Sequence, residues 1–206
     1  MDTFSLAFIC TGNRFRSALA EAFVHRLTLG LPVTTHSFGT LELGDVPPLP
    51  EAIEIARSCG IDLTNHRARC VSGASLAGTD LVLGFDGSHV QEAVVNAAAP
   101  RDRSFTIKHF VRLLESATPA PDRDPVKRAR DAVAQASEAR LAEPDRGAED
   151  ELRDPLGGSW NVYRDTAVEV QDISLQLVAV LFGVSNSTGL RPISRKLRRP
   201  SALRWG

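Results

Sequence analysis

One short stretch of the chain, CTGNRFRS at residues 10–17, combines a cysteine, a glycine and an asparagine with an Arg-Ser pair. Five residues separate Cys10 from Arg16, enough for the backbone to curl so that successive N–H groups face inward and bind an anion. The Arg16 guanidinium can close this ring with two hydrogen bonds to a tetrahedral oxyanion. The spacing therefore predicts a phosphate-sized site above the cysteine sulfur.

The same surroundings favour nucleophilic chemistry at Cys10. A helix N-terminus and a nearby cation stabilise the thiolate, which is the reactive form of cysteine, and Ser17 could donate its hydroxyl to that thiolate. Gly12 and Asn13 are residue types that tolerate a left-handed backbone in a tight loop. The alternative is that Cys10 is a buried thiol at a strand end and Arg16 a solvent-facing cation.

The elements around this loop are expected to be a strand and a helix. Residues 4–9 form a nearly continuous apolar run, typical of a central parallel strand. From residue 17 to about residue 29, apolar residues recur at helical spacing until Gly30 and Pro32 end the pattern. A cysteine after such a strand and before such a helix favours the anion site over the buried-thiol alternative.

The rest of the chain continues this alternation. We expect further strands at residues 33–38, 80–85 and 104–107, and helices at residues 51–58, 86–98 and 162–182. The alternation predicts an α/β fold of three layers, α/β/α, with a four-stranded, mainly parallel sheet. The phosphate-binding loop between strand one and helix one then lies at the carboxyl end of the sheet, where ligands of such folds bind.

Two polar regions accompany this domain, which we place at residues 1–184. The polar composition of the segment at about residues 116–150 predicts an exposed insertion that can hold one weakly apolar helix. Residues 185–206 carry six basic side chains and no acid, and we expect this tail to be disordered. Such charges without an ordered scaffold give salt-sensitive, non-specific attraction, so nucleic acid is not an expected partner.

Composition narrows the class of protein further. Cys10, Cys59 and Cys70 cannot all pair and lack the spacing of zinc ligands, so neither a disulfide scaffold nor a metal site is expected. No stretch approaches the roughly 18 apolar residues of a membrane span, and the acidic start does not resemble a secretion signal. We therefore expect a cytoplasmic protein without a membrane span.

At these residues the chain resembles the low-molecular-weight protein tyrosine phosphatase family, whose signature C-x-G-N-x-x-R-S follows strand one. Similar segments follow in family order: HSFGT at 36–40, GIDLTNHRAR at 60–69, DLVLGF at 80–85 and DPLGGS at 154–159. The resemblance covers about residues 4–183, apart from the insertion. It implies hydrolysis of a phosphorylated protein, with phosphotyrosine as the substrate residue, through a phosphocysteine intermediate and without metal or cofactor.

The resemblance also implies roles for individual residues. Cys10 is the nucleophile, Arg16 binds the phosphoryl oxygens, and inorganic phosphate or a similar oxyanion binds at the same place. His66 is similar to the family histidine that braces the loop through its asparagine, whereas a direct catalytic role is the alternative. The residues expected to bind phosphate or support the loop are Thr11, Gly12, Asn13, Arg14, Phe15, Ser17 and His66.

A cysteine-dependent phosphatase also needs a general acid, because the leaving group must receive a proton and water must later lose one. Asp-Pro pairs begin at Asp124 and Asp154. The first lies in the polar insertion, where we interpret it as a turn former. The second precedes Gly157 and the long last helix, as in the family's acid loop, so we assign Asp154 as the acid.

The chain departs from the family pattern at three places. Phe15 stands where the family usually has a second cysteine, so a protective disulfide with Cys10 is not expected. Arg14 replaces a pocket-wall residue that is commonly isoleucine in tyrosine phosphatases and threonine in arginine phosphatases, and it either strengthens phosphate binding or points to solvent. The loop after Asp154 lacks the usual aromatic residues, which Trp160 or Tyr163 could replace unless both pack the last helix.

These departures leave other functions open. The DPLGGS segment is closer to the loop of arginine phosphatases, so a protein arginine phosphatase is the first alternative. Arsenate reductases resemble this chain at Cys10 and Arg16 but need further cysteines, and both Phe15 and the lack of a cysteine pair after residue 70 argue against that activity. A non-catalytic module that binds phosphate or nucleic acid is the last alternative.

Overall fold

The central sheet has four parallel strands. The structure is a computed structural model that describes residues 2–115, 123–184 and 189–199. The strands are β1 (Phe4–Cys10), β2 (Val33–Gly39), β3 (Leu81–Gly84) and β4 (Ser104–Thr106), in the spatial order β2-β1-β3-β4. Every neighbouring pair is parallel, which confirms the predicted sheet.

Six α-helices are found in the described residues. They are α1 (Arg16–Leu27), α2 (Pro50–Ser58), α3 (Gly87–Asn96), α4 (Ile107–Glu115), α5 (Pro125–Ala139) and α6 (Trp160–Phe182). The sequence analysis missed α4 and extended the last strand to Ile107, which in fact begins this helix. Ile107, Phe110, Val111 and Leu114 are buried at helical spacing, so the signal was present but too short to separate from a strand.

Strand β1 is apolar except at Ser5, as expected of a strand with both faces covered. Phe4, Leu6 and Phe8 point into a large core with α1 and α6, whereas Ala7 and Ile9 point into a smaller core with α3. This three-layer packing is the α/β architecture that the sequence predicts. It places Cys10 at the end of β1, and a loop of five residues leads from it to the start of α1 at Arg16.

The insertion is less exposed than predicted. Helix α5 forms within it and buries Val126, Ala129, Val133 and Ala136 in the large core. Asp124 is the N-cap of this helix, and its Oδ1 accepts a hydrogen bond of 2.9 Å from the Val126 amide. Residues 116–122 of the insertion lie outside the described residues.

Part of the basic tail also differs from the expectation. Leu190 and Ile193 are buried against the core, and the amide of Gln171 in α6 bonds to the Arg191 carbonyl and the Ile193 amide. Residues 189–199 therefore pack against the core through two apolar side chains that stand among the basic ones. Residues 185–188 and 200–206 lie outside the described residues. Within the described part of the chain, no helix combines the length and apolar character that crossing a membrane requires.

Candidate active site

The predicted phosphate-binding loop lies between the end of β1 and the start of α1. Cys10 is buried, and its Sγ lies 3.0 Å from the Ser17 Oγ. Arg16 is the first residue of α1, so the loop leads directly into the positive end of that helix. The structure therefore places the Cys10 sulfur beside the Ser17 hydroxyl and before the N-terminus of α1.

Asn13 holds the loop in shape from inside. Its φ of 51° is the left-handed backbone expected here. Its Nδ2 donates to the Oγ atoms of Ser17, at 2.9 Å, and Ser37, at 2.7 Å, while its Oδ1 accepts from the Arg69 amide at 2.9 Å. The Ser17 hydroxyl, which accepts from Asn13, has two groups within reach of its own hydrogen: the Cys10 sulfur at 3.0 Å and the Phe38 carbonyl oxygen at 3.4 Å.

His66 lies behind the loop rather than in the cavity over Cys10. Its Nε2 donates to the Asn13 carbonyl oxygen at 2.8 Å. Burial lowers the pKa of His66, which keeps the ring neutral. The structure thus places His66 where the loop-supporting role would require it, and the Glu21 carboxylate nearby accepts a hydrogen bond from Ser37.

Gly39 in β2 is a feature that the sequence analysis did not single out. A Cβ on Gly39 would lie 2.9 Å from the Thr11 carbonyl oxygen and 3.0 Å from the Asn13 nitrogen, both backbone atoms of the loop. The loop therefore approaches β2 more closely than any side chain allows. The Gly in the HSFGT segment was the available signal, but only the packing gives its reason.

The loop forms one end of a cavity of about 220 Å³. Several predicted residues meet there, namely Cys10, Thr11, Gly12, Arg14, Phe15, Arg16 and Asp154. Its other walls are aliphatic, formed by Leu41, Leu43, Leu49 and Leu156. The cavity thus combines an anion-binding end with an apolar approach.

Asp154 reaches the cavity from the segment before α6. Its Oδ2 accepts a hydrogen bond of 2.5 Å from Arg16 Nη2, and its Oδ1 accepts from the Leu156 amide at 3.0 Å. The segment is fixed because the Leu152 amide donates to the Phe85 carbonyl and the Leu152 carbonyl accepts from Arg16 Nη1. The structure therefore places Asp154 in the wall of the same cavity as Cys10.

Arg112 anchors the same segment further back, with Nη2 donating to Asp150 Oδ2 at 2.6 Å. This ion pair joins α4 to the residues that lead to Asp154. Asp124, at the start of α5, is absent from the cavity walls.

Arg14 and Phe15 both line the cavity, but they make different contacts. The Arg14 Nε donates to the Pro47 carbonyl at 2.8 Å, which fixes its guanidinium at the cavity wall. Phe15 is buried and packs edge-on against Tyr163, with ring centroids 5.2 Å apart. Tyr163 and Trp160 are not among the cavity walls, and the Trp160 Nε1 donates to the Leu197 carbonyl. Of the two alternatives for Trp160 and Tyr163, an aromatic cavity wall or packing at the start of the last helix, the contacts agree with the second.

His89, which the sequence analysis also missed, lies beside the loop. Its Nε2 is 3.1 Å from the Thr11 Oγ1, and Thr11 in turn accepts from Arg16 Nη2 at 3.0 Å. Burial is the main cause that lowers the pKa of His89 to about 4. The available signal was its place three residues after the helix-capping Asp86.

Comparison with known proteins agrees with this geometry. The sequence model described as "Low molecular weight phosphotyrosine protein phosphatase" matches residues 5–143. A Ralstonia nicotianae protein named "Probable low molecular weight protein-tyrosine-phosphatase EpsP" is 33% identical over 88 residues, which covers 43% of this chain and 59% of that relative. The protein-arginine-phosphatase of Bacillus subtilis is 26% identical over 178 residues, covering 85% of this chain and 95% of that protein.

A solved structure extends the likeness to the fold. The crystal structure of a low molecular weight protein tyrosine phosphatase from T. tengcongensis superposes with a TM-score of 0.61 at 27% identity, covering 85% of this chain and 98% of the other. The matched sequence region includes the whole loop from Cys10 to Ser17. The chain belongs to the low molecular weight phosphotyrosine protein phosphatase family.

Proposed function

We propose that this protein is a cysteine-dependent protein phosphatase that hydrolyses phosphotyrosine, which makes it a phosphoric monoester hydrolase. The observation that carries the proposal is the shared cavity in which the Cys10 sulfur, the Arg16 guanidinium and the Asp154 carboxyl converge. These are the nucleophile, the anion clamp and the proton donor that phosphoryl transfer through cysteine needs.

In the first step the Cys10 thiolate attacks phosphorus. An S–P bond forms, the bond between phosphorus and the leaving oxygen breaks, and Asp154 gives its proton to that oxygen. The phosphoryl oxygens are held by Arg16 and the backbone amides of residues 11–16, which stabilise the charge of the transition state. Because the incoming oxyanion takes over the Arg16 guanidinium, the Asp154 carboxylate is released from its ion pair. It takes up the proton of a substrate that binds as its monoanion, and this is the proton that it gives to the leaving oxygen.

In the second step water attacks the phosphocysteine. Asp154, now a carboxylate, removes a proton from the water as its oxygen bonds to phosphorus. The S–P bond breaks and Cys10 leaves as a thiolate, which the Ser17 hydroxyl stabilises through the 3.0 Å contact. Inorganic phosphate is the product.

The cavity walls support phosphotyrosine over phosphoarginine. Leu41, Leu43 and Leu49 offer an aliphatic surface to a phenol ring, and the fixed guanidinium of Arg14 attracts the face of such a ring. A phosphoarginine side chain brings a second cation, which Arg14 repels. The anchoring of Arg14 to Pro47 keeps this cation in place.

The test compares two phosphopeptides of the same sequence, one with phosphotyrosine and one with phosphoarginine, by kcat/KM. We expect phosphotyrosine to be preferred and the preference to shrink in Arg14→Gln. Cys10→Ser should abolish turnover of both peptides. A preference for phosphoarginine in the native protein would replace this proposal with an arginine phosphatase.

Two other functions have separate outcomes in the same assays. An arsenate reductase would oxidise thiols when arsenate is added, yet Cys59 is buried beside Gln171 and Cys70 lies on the far side of Gly39 from Cys10. A binding module would take up inorganic phosphate without releasing product from an aryl phosphate. The free cysteines suit a reducing compartment, and we propose the cytoplasm as the place of action.

A further inference from the structure

His89 is a buried histidine whose tautomer is fixed by its own helix. It is the third residue of α3, and its side chain is 2% exposed. The Asp86 amide donates to His89 Nδ1 at 3.2 Å, in a capping box. Since Nδ1 accepts this hydrogen bond, the ring hydrogen of a neutral His89 is on Nε2.

Burial, rather than the charged groups around it, keeps the His89 ring neutral. Burial lowers its pKa to about 4, and the Arg16 guanidinium acts in the same direction, while the Asp86 and Asp154 carboxylates oppose them. The Asp86 Oδ2 also lies 3.2 Å from Nδ1, but the aligned hydrogen bond at this nitrogen comes from the Asp86 amide. At neutral pH the ring therefore has one hydrogen to donate, at Nε2.

That hydrogen determines what the Thr11 hydroxyl can do. The Thr11 Oγ1 accepts from His89 Nε2 at 3.1 Å and from Arg16 Nη2 at 3.0 Å. A hydroxyl oxygen has two lone pairs, so both are occupied and its hydrogen must be directed elsewhere. Thr11 lines the cavity over Cys10, and within the described ranges no protein acceptor for this hydrogen is found.

We propose that His89 is a positioning residue that turns the Thr11 hydroxyl into a donor for the phosphoryl group held above Cys10. The proposal rests on the phosphatase function proposed above. If His89 Nε2 carried no hydrogen, it would accept the Thr11 hydroxyl hydrogen, and that hydrogen could not then be donated to the phosphoryl group. Through the same oxygen, His89 also fixes Arg16 Nη2, which lies between Thr11 and Asp154.

Two substitutions at His89 separate this role from packing. In His89→Gln the side-chain carbonyl can accept the Asp86 amide and the side-chain amide can donate to Thr11, so both hydrogen bonds are retained. His89→Leu fills similar space but makes neither bond. We expect His89→Leu to lower kcat/KM for an aryl phosphate by about tenfold to a hundredfold, and His89→Gln to stay within about threefold of the native value.

A double-mutant cycle with Thr11→Val shows whether His89 acts through the hydroxyl. Thr11→Val keeps the shape of the side chain and removes the donor. If the proposal holds, adding His89→Leu or His89→Gln to Thr11→Val gives two double variants whose kcat/KM values differ by less than about twofold. If the two His89 substitutions differ in kcat/KM as much in the Thr11→Val background as in the native one, His89 only stabilises the fold and the proposal is overturned.

Calorimetric binding of inorganic phosphate gives a readout that does not need turnover. We expect His89→Leu to weaken phosphate binding several-fold and His89→Gln to preserve it, with thermal unfolding verifying that both variants are folded. If the native protein binds phosphate but turns over no phosphomonoester, the proposed function fails while this binding difference still tests His89. Equal phosphate binding and equal kcat/KM in an active native protein and both variants would refute the role of His89 alone.

Discussion

Arg16 and Asp154 are hydrogen-bonded to each other at 2.5 Å, although the proposed reaction gives each a different partner. The Arg16 side chain is 3% exposed and that of Asp154 41%, so a carboxylate at the cavity mouth neutralises the buried cation. In the proposed reaction, a phosphoryl group that binds over Cys10 displaces this carboxylate. The pair would thereby couple substrate binding to the release of the proposed acid.

Asp154→Asn tests this coupling. We expect kcat for an aryl phosphate to fall by about a hundredfold or more, because asparagine cannot donate the required proton. Inorganic phosphate should bind as tightly as in the native protein or more tightly, since Arg16 no longer shares its charge with a carboxylate. Calorimetry and steady-state kinetics measure the two effects separately.

Asp124→Asn is the matched control, since asparagine caps a helix about as well as aspartate and Asp124 lies at the start of α5. It should leave kcat unchanged. A native kcat in Asp154→Asn, or a loss of phosphate binding there, would contradict the assignment of the acid.

Gly39→Ala tests the close approach of β2 to the loop. The added Cβ would meet backbone atoms of Thr11 and Asn13 at 2.9 and 3.0 Å, and backbone cannot rotate away as a side chain can. We expect kcat/KM to fall by at least about tenfold and the free energy of unfolding by about 1–3 kcal/mol. Gly73→Ala, where a Cβ meets nothing within 4 Å, should change neither quantity. Similar behaviour of the two variants would show that the contact is unimportant.

Asn13 allows backbone strain to be separated from side-chain hydrogen bonds. Both Asn13→Gly and Asn13→Ala remove the bonds to Ser17, Ser37 and the Arg69 amide, so both should lower kcat. Only alanine must also adopt a φ of 51°, and it should be less stable than glycine by about 1 kcal/mol. Urea unfolding measures the difference, and an alanine variant as stable as the glycine variant would exclude strain at this position.

The sequence alone was sufficient to predict the phosphate-binding loop, because the residues that form it are close together in the chain. Cys10, Asn13 and Arg16 lie within seven consecutive residues, and one turn of backbone fixes their relative positions. The parallel sheet was predictable for a similar reason, since the apolar run of β1 reports burial on both faces. Asp154 was a different case, because its place in the chain became informative only through a resemblance.

The features that the sequence did not reveal depend on contacts between segments that are far apart in the chain. His89 is 78 residues from Thr11, and nothing in a helix-start histidine indicates which loop it meets. The order of residues 189–199 depends on Gln171 and the core beneath it, whereas composition alone favours disorder. Helix α4 was missed because nine residues are too few for periodicity to exclude a strand.

The pH dependence of stability should report the neutral state of His89. Its pKa falls from 6.5 to about 4 on folding, so between these values the unfolded chain binds more protons than the folded one. The stability that the neutral His89 contributes is therefore complete above its pKa in the unfolded chain, 6.5, and is lost as the pH falls towards its folded pKa of about 4. From about pH 7 to about pH 5, His89 should account for a loss of about 2 kcal/mol in the free energy of unfolding.

His89→Gln should remove that part of the loss, because glutamine does not titrate. His66, whose pKa is also lowered by burial, contributes in the same direction, so the native profile should be steeper than His89 alone requires. His25→Gln changes an exposed histidine and should leave the profile as it is. Urea unfolding of the three proteins at both pH values provides the measurement. A His89→Gln profile parallel to that of the native protein would mean that His89 is not held neutral, and with it the assignment of its single hydrogen to Nε2 would fall.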